Sequence, residues 1–287
     1  MALARERTPA PTLSDGLALR LLEFALYLPW IPEWGHLHAL AGARILECPG
    51  GAIMTSGQFF EQLDTRIAKY DLLCHPFYQA WSAGELTRED LQEYARDYYH
   101  HVEAFPIYLA ELGIRLDESE LRQAVLANMA DEKGMADASG DESTSHSELW
   151  LDFAEGMGAR RDLRGHIPVP EIRELTAFFH FIASEGTAEE ALAAFYAYES
   201  QVPRVSKEKA RGLREMYGAD ERVTAYFALH TTADVFHSQV WRQQLEKRLK
   251  ANPQLADKAL AAGENAAKAL WRALDGIEAR RMQQAAA

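Results

Sequence analysis

The sequence predicts an all-α bundle, and three observations carry that expectation. From Met54 onward apolar residues recur at helical spacing, strand-type alternation is missing, and the connections between periodic runs are short. Counting the runs gives about seven helices in a single domain spanning residues 54–287.

Residues 1–53 differ in kind. They mix Pro9, Pro11, Pro29, Pro32, Pro49 and the Gly50-Gly51 pair without a sustained period. They are expected to be a disordered appendage or an over-extended start rather than a docking arm. The signal-peptide pattern is poor, because Glu6, Asp15 and the prolines interrupt it. The bundle is therefore expected to be complete from Met54, with Phe59, Phe60, Leu63 and Ile67 marking the apolar face of its first helix.

Thr87-Arg88-Glu89-Asp90 has the form of a capping box and opens a run with Leu91, Tyr94 and Tyr98 on one face. Pro106 within that run predicts a kink. Amphipathic runs follow around Leu121, Val125, Leu126 and Met129, around Leu149, Trp150 and Phe153, and around Ile172, Leu175, Phe179 and Ile182. Thr187 and Glu190 make a second capping box, for a helix that Pro203 stops. One long helix is expected from about Glu221 to Lys250, and a last one after Pro253.

Composition narrows the function. The 287 residues carry 30 basic and 43 acidic side chains, a net charge of −13, which speaks against a nucleic-acid partner. Two cysteines, Cys48 and Cys74, exclude a disulfide framework and any multi-cysteine metal site and suit a reducing cytoplasm. Cys74 is expected to be a buried or partly buried structural thiol. The apolar stretch Leu21 to Ile31 is too short to span a bilayer, so no membrane association is expected. Nucleophile elbows and phosphate-binding glycine loops are missing as well.

What remains is a set of polar residues at positions a bundle would fill with apolar ones. His230, Asp234 and His237 sit at i, i+4 and i+7, within about 60° of arc on an ideal helix. Imidazole with carboxylate suits iron, manganese or zinc. Glu199 lies close to the proline stop of its helix, and Glu132 ends the helix of Val125 and Met129. Carboxylates from two helices joined to a His/carboxylate stripe on a third are how helical bundles hold a pair of metal ions, and such centres activate dioxygen. Seven tyrosines, Tyr78, Tyr94, Tyr98, Tyr99, Tyr196, Tyr198 and Tyr226, are expected near the same cavity, most of them as core packing.

The ordered segments His75-Pro76-Phe77-Tyr78-Gln79-Ala80-Trp81, Gly84-Glu85-Leu86-Thr87, Tyr94-Ala95-Arg96-Asp97-Tyr98-Tyr99, Ala104-Phe105-Pro106, Tyr198 to Arg204, Lys209-Ala210-Arg211-Gly212-Leu213 and Ala233-Asp234-Val235-Phe236-His237 carry a resemblance. Over residues 55–280 the chain resembles the family of the chlamydial protein associating with death domains. The resemblance implies a haem-oxygenase-like seven-helix bundle with a di-metal centre, related to pyrroloquinoline-quinone synthase and thiaminase II. It also implies synthesis of 4-aminobenzoate for folate from one of the protein's own tyrosines, with a lysine as amino donor.

Carried over, the implied ligands are Glu132, His146, Glu199, His230, Asp234 and His237. Of these, His146 enters only through the resemblance. Tyr78 corresponds to the sacrificed tyrosine, Tyr198 to a redox tyrosine and Lys209 to the donor. The metals implied are two iron ions or iron with manganese, with dioxygen and an external reductant as co-substrates and a homodimer as the expected assembly. The 13 residues between Glu132 and His146 exceed the family's spacing and suggest a bulged loop, which places His146 in question. The alternatives are a conventional di-metal oxidase acting on a free small molecule, an oxidase like pyrroloquinoline-quinone synthase, and a helical interaction module. Thiaminase-type hydrolysis is disfavoured, because no cysteine follows Cys74.

Overall fold

The computed structural model describes residues 54–135 and 143–286. Among them the regular structure is entirely helical: α1 (Ser56–Ala68), α2 (Pro76–Ala83), α3 (Arg88–Arg115), α4 (Glu120–Glu132), α5 (His146–Gly156), α6 (Pro170–Ser184), α7 (Ala188–Glu199), α8 (Val202–Tyr217), α9 (Glu221–His230), α10 (Ala233–Ala251) and α11 (Ala256–Ala285), with two short 3-10 turns. The expected appendage, 1–53, lies outside the described residues.

Local signals set the helix starts. Thr55 with Gln58, Thr87 with Asp90 and Thr187 with Glu190 each form a reciprocal capping box, satisfying two N-terminal donors apiece. Aspartate serves at the third position in α3, where Asp90 accepts from the Thr87 N–H at 2.8 Å.

The bundle is organised around α7. Its residues from Ala191 to Glu199 are all buried, as expected of a helix enclosed on every side. It packs against α11, α10 and α6, while α3 runs across α6, α4 and α5, and α9 lies between α5 and α8. Phe179, Phe195, Trp241, Leu192 and Leu270 fill the space between these helices, each contributing about 1.5–3 kcal/mol by burial.

One expected helix is divided, and the proline-bearing run stays a single helix. The run carrying Pro106 continues unbroken from Arg88 to Arg115. The expected single helix from Glu221 to Lys250 is instead α9 and α10, parted at Thr231-Thr232. The cause is local: Thr231 Oγ1 donates to the Ala228 carbonyl at 2.7 Å and Thr232 Oγ1 to the Leu229 carbonyl at 3.1 Å, so both side chains compete for carbonyls the helix would use. Cys74 is exposed, because the turn Leu72–Cys74 turns Leu72 inward instead.

One close approach matters for the site. α8 crosses α2 at Gly212, where an added Cβ would stand 2.9 Å from Trp81 Cδ1. Gly212→Ala is expected to cost about 1–3 kcal/mol through overpacking, read as a lower urea midpoint with an unchanged slope.

Candidate functional site

The acids and imidazoles come from five helices whose ends converge. Glu132 closes α4, His146 opens α5, Glu199 closes α7, His230 closes α9, and Asp234 and His237 lie in the first turns of α10; all six are buried. The break at Thr231-Thr232 therefore does not scatter the stripe. Glu132, His146 and His230 offer ligand atoms all within 4.8 Å of one another, and so do Glu132, Glu199 and His237. Glu132 is common to both groups. Asp234 belongs to neither triad but places Oδ1 3.4 Å from His237 Nδ1.

His146, the doubtful member, is returned to the site by a closed loop base. Gly134 adopts a positive φ, its Cβ position is blocked by the Ser143 carbonyl at 2.3 Å, and the Ser143 N–H donates to Gly134 O at 3.3 Å. Gly134 and Ser143 thus stand side by side, and His146 Nδ1 lies 2.7 Å from Glu132 Oε2.

The donor set fits metal ions. His230 Nδ1 lies 2.7 Å from the Tyr226 carbonyl, so it must carry the proton, leaving Nε2 with a lone pair. The His146 Nδ1 contact with Glu132 is close but lacks hydrogen-bond alignment, so this atom and His237 Nδ1 are buried without a hydrogen-bond partner. Close approach of donor atoms without alignment is how two ligands of one ion stand. Burial raises the Glu199 carboxyl well above the usual range, reinforced by Asp234 and Glu132. Burial presses His237 toward neutrality, but Asp131, Asp234 and Glu199 outweigh it and raise it to about 11. Glu132 is lowered in spite of burial, through His146, His230 and His237. Three carboxylates compressed into one buried space call for cations, which is the chemistry of a metal-binding cluster.

A second cluster lies nearer α2 and α8. Lys209 is 6% exposed, with Nζ 2.7 Å from Tyr78 Oη and 2.5 Å from Tyr94 Oη, and the two phenols are 3.0 Å apart. The rings of Tyr78, Trp81, Tyr94, Tyr98 and Phe227 surround the amine at 4.2–5.6 Å from their centroids. Such rings favour an ammonium, yet among the described residues the amine's hydrogen-bond and ion-pair partners include no carboxylate, and full burial lowers the amine well below its usual value. Desolvation outweighs the rings, so burial disfavours the charged form of Lys209. Over the range between that lowered value and 10.5, the unfolded chain binds a proton that the folded one does not, so stability rises with pH by up to about 1.4 kcal/mol per unit. Lys209→Met is expected to flatten this slope and to raise stability at neutral pH, as read by urea unfolding from about pH 7 to pH 10.

Tyr198 is not in this cage. It lines a narrow space with Glu132, Glu199, Tyr226, His230 and Asp234. Tyr98 stands between the clusters, its ring stacked on Tyr94 at 5.4 Å. Of the seven tyrosines, Tyr99 and Tyr196 turn away, bonding Glu103 and Asp64. Four further residues complete the site. Tyr94 bridges Tyr78 and Lys209. Asp131 lies 3.0 Å from His237 Nε2. Asn128 Nδ2 donates to Glu199 Oε1 at 3.3 Å, and the Trp241 indole N–H donates to Glu199 Oε2. Asn128 lies one turn before Glu132 and Trp241 one turn after His237, so extending each stripe by four residues finds them.

Residues 92–271 match the family described as iron-containing redox enzymes. The chain belongs to that family. This redox enzyme is 37% identical over 221 residues to a 4-aminobenzoate synthase of Chlamydia trachomatis, the match covering 76% of this chain and 91% of the relative. It is also 37% identical over 235 residues to a 4-aminobenzoate synthase of Nitrosomonas europaea, covering 78% and 92%. Its fold is haem-oxygenase-like: a solved domain with that fold from Shewanella denitrificans superposes with a TM-score of 0.67 at 19% identity, covering 82% of this chain and 97% of that one. The redox enzyme is thus an oxidoreductase, and no helix among its described residues is long and apolar enough to cross a membrane.

Proposed function

We propose that the chain makes 4-aminobenzoate by consuming its own Tyr78, with Lys209 as nitrogen donor and Glu132, His146, Glu199, His230, Asp234 and His237 as the ligands of two metal ions, iron with iron or iron with manganese. The observation that carries this reading is the 2.7 Å contact of a buried amine with the phenol oxygen that nitrogen must replace. The 4-aminobenzoate synthases among its relatives support the product.

Tyrosine already holds its two ring substituents in the para relation of 4-aminobenzoate. Cβ becomes the carboxyl carbon once the Cα–Cβ bond is cut, and the C4 oxygen gives way to nitrogen. Conversion of Cβ to a carboxyl is oxidative; the exchange at C4 forms a C4–Nζ bond, releases the oxygen as water and frees the nitrogen when Nζ–Cε breaks with Cε left as an aldehyde, a two-electron oxidation of Lys209. Metal ions, when bound, would supply the oxidising power drawn from dioxygen with an external reductant. The side chains set the geometry. Burial favours the uncharged form of Lys209, whose lone pair the attack needs, and Tyr94 holds amine and phenol together. The aromatic walls exclude water that would compete with nitrogen at C4. Tyr198, between the acids and Tyr98, is placed to link the two clusters.

A conventional oxidase would need room for a substrate beside the amine, and Tyr78 itself fills that place. Growth with ring-labelled tyrosine tests the reading: the label should enter 4-aminobenzoate at no more than one molecule per chain. Repeated turnover, or unlabelled product from an added small molecule, establishes the conventional oxidase instead.

A further inference from the structure

Between α4 and α10 lies a cavity of about 490 Å³. Its outer wall is built from Ala124, Ala127 and Ala130 on one side and Phe236 and Val240 on the other. Phe236 is 67% exposed at this wall. The inner end is formed by Asn128, Trp241 and His237. Asn128 and Trp241 both bond Glu199, and His237 has its ligand atom within 4.8 Å of Glu132 and Glu199. A molecule at the inner end is therefore one side chain away from the acids.

The space at the acids themselves is narrow. Bounded by Glu132, Glu199, His230 and Asp234 together with Val102, Phe105, Tyr198 and Tyr226, it measures about 10 Å³, about the room one water molecule needs. The alanine-walled cavity is a far roomier space next to it.

Its polar atoms are mostly engaged. The Trp241 indole and the Asn128 amide N–H are committed to Glu199, and His237 Nε2 to Asp131. Of the two unpartnered atoms on these residues, His237 Nδ1 lies 3.4 Å from Asp234 on the side of the acids, which leaves Asn128 Oδ1 beside the Asp131 carboxylate. An organic acid would meet repulsion, and a polar substrate would lose its hydration without replacement. A small apolar molecule needs no partner and gains by leaving water.

We propose that this cavity is a dioxygen-binding site and the route by which the gas reaches the acid cluster. The inference rests on the oxidative function proposed above, but the site can be tested apart from it. Xenon, an apolar probe of similar size, should occupy the cavity in crystals of the purified protein under xenon pressure. Ala127→Trp, at an exposed position of α4, should displace xenon and slow the reaction of the reduced, metal-loaded protein with dioxygen several-fold, with metal content unchanged. Ala127→Met, smaller and flexible, should give an intermediate effect. No xenon in the cavity of the unaltered protein overturns the proposal, as does a dioxygen reaction unaffected by Ala127→Trp once xenon is displaced. Xenon uptake and gated dioxygen reaction without any 4-aminobenzoate would leave the gas site standing and overturn the function instead.

Discussion

Tyr78→Phe is expected to reduce 4-aminobenzoate from at most one molecule per chain to none while leaving the metal content intact. The phenylalanine ring fits the same space, so the edge-on and tilted packing of Phe77, Tyr94 and Trp81 around it is kept. What is lost is the oxygen at C4, the atom bonded to Lys209 at 2.7 Å and to Tyr94 at 3.0 Å. Mass spectrometry of the product and elemental analysis of the same sample check both halves. Undiminished product from Tyr78→Phe would remove Tyr78 as its source.

Glu132→Ala carries the second large effect. Because Glu132 is the member common to both triads, its loss is expected to empty both positions, taking bound metal from about two ions per chain to a small fraction and abolishing product. His237→Ala removes a member of one triad only and should cost less metal. Asp131→Ala leaves every proposed ligand in place and releases only the far nitrogen of His237; a metal affinity about 10–100-fold weaker is expected. Elemental analysis after dialysis against a graded chelator series separates the three. Full occupancy in Glu132→Ala would show that the acid cluster is not the metal site.

Much of the fold was legible because its signals are local. Capping boxes at Thr87 and Thr187 and the apolar period of α6 and α11 depend on residues within a turn or two. The break between α9 and α10 was missed for the same reason in reverse: threonine hydroxyls compete with helical carbonyls only weakly, and the polar period runs on across them. Five of the six proposed ligands stood out as polar residues in an apolar register. His146 did not, since it opens its helix and is joined to Glu132 by the turn back at Gly134 and Ser143, which no periodicity records. Tyr94 was legible as an aromatic and illegible as a partner of Lys209, because the pairing spans 115 positions of chain. Cys74 was misjudged from residue type alone, where the direction of a three-residue turn decides exposure.

The joined base at Gly134 and Ser143 also uncouples sequence length from ligand position. When a segment departs and returns through one hydrogen-bonded neck, its length enters the energetics only through closure entropy, and doubling it costs about 0.6 kcal/mol. Insertions and deletions there are nearly neutral, whereas one added residue inside α4 or α5 would rotate a ligand by about 100°. A change of length between Gly134 and Ser143 is therefore expected to leave Glu132 and His146 in contact.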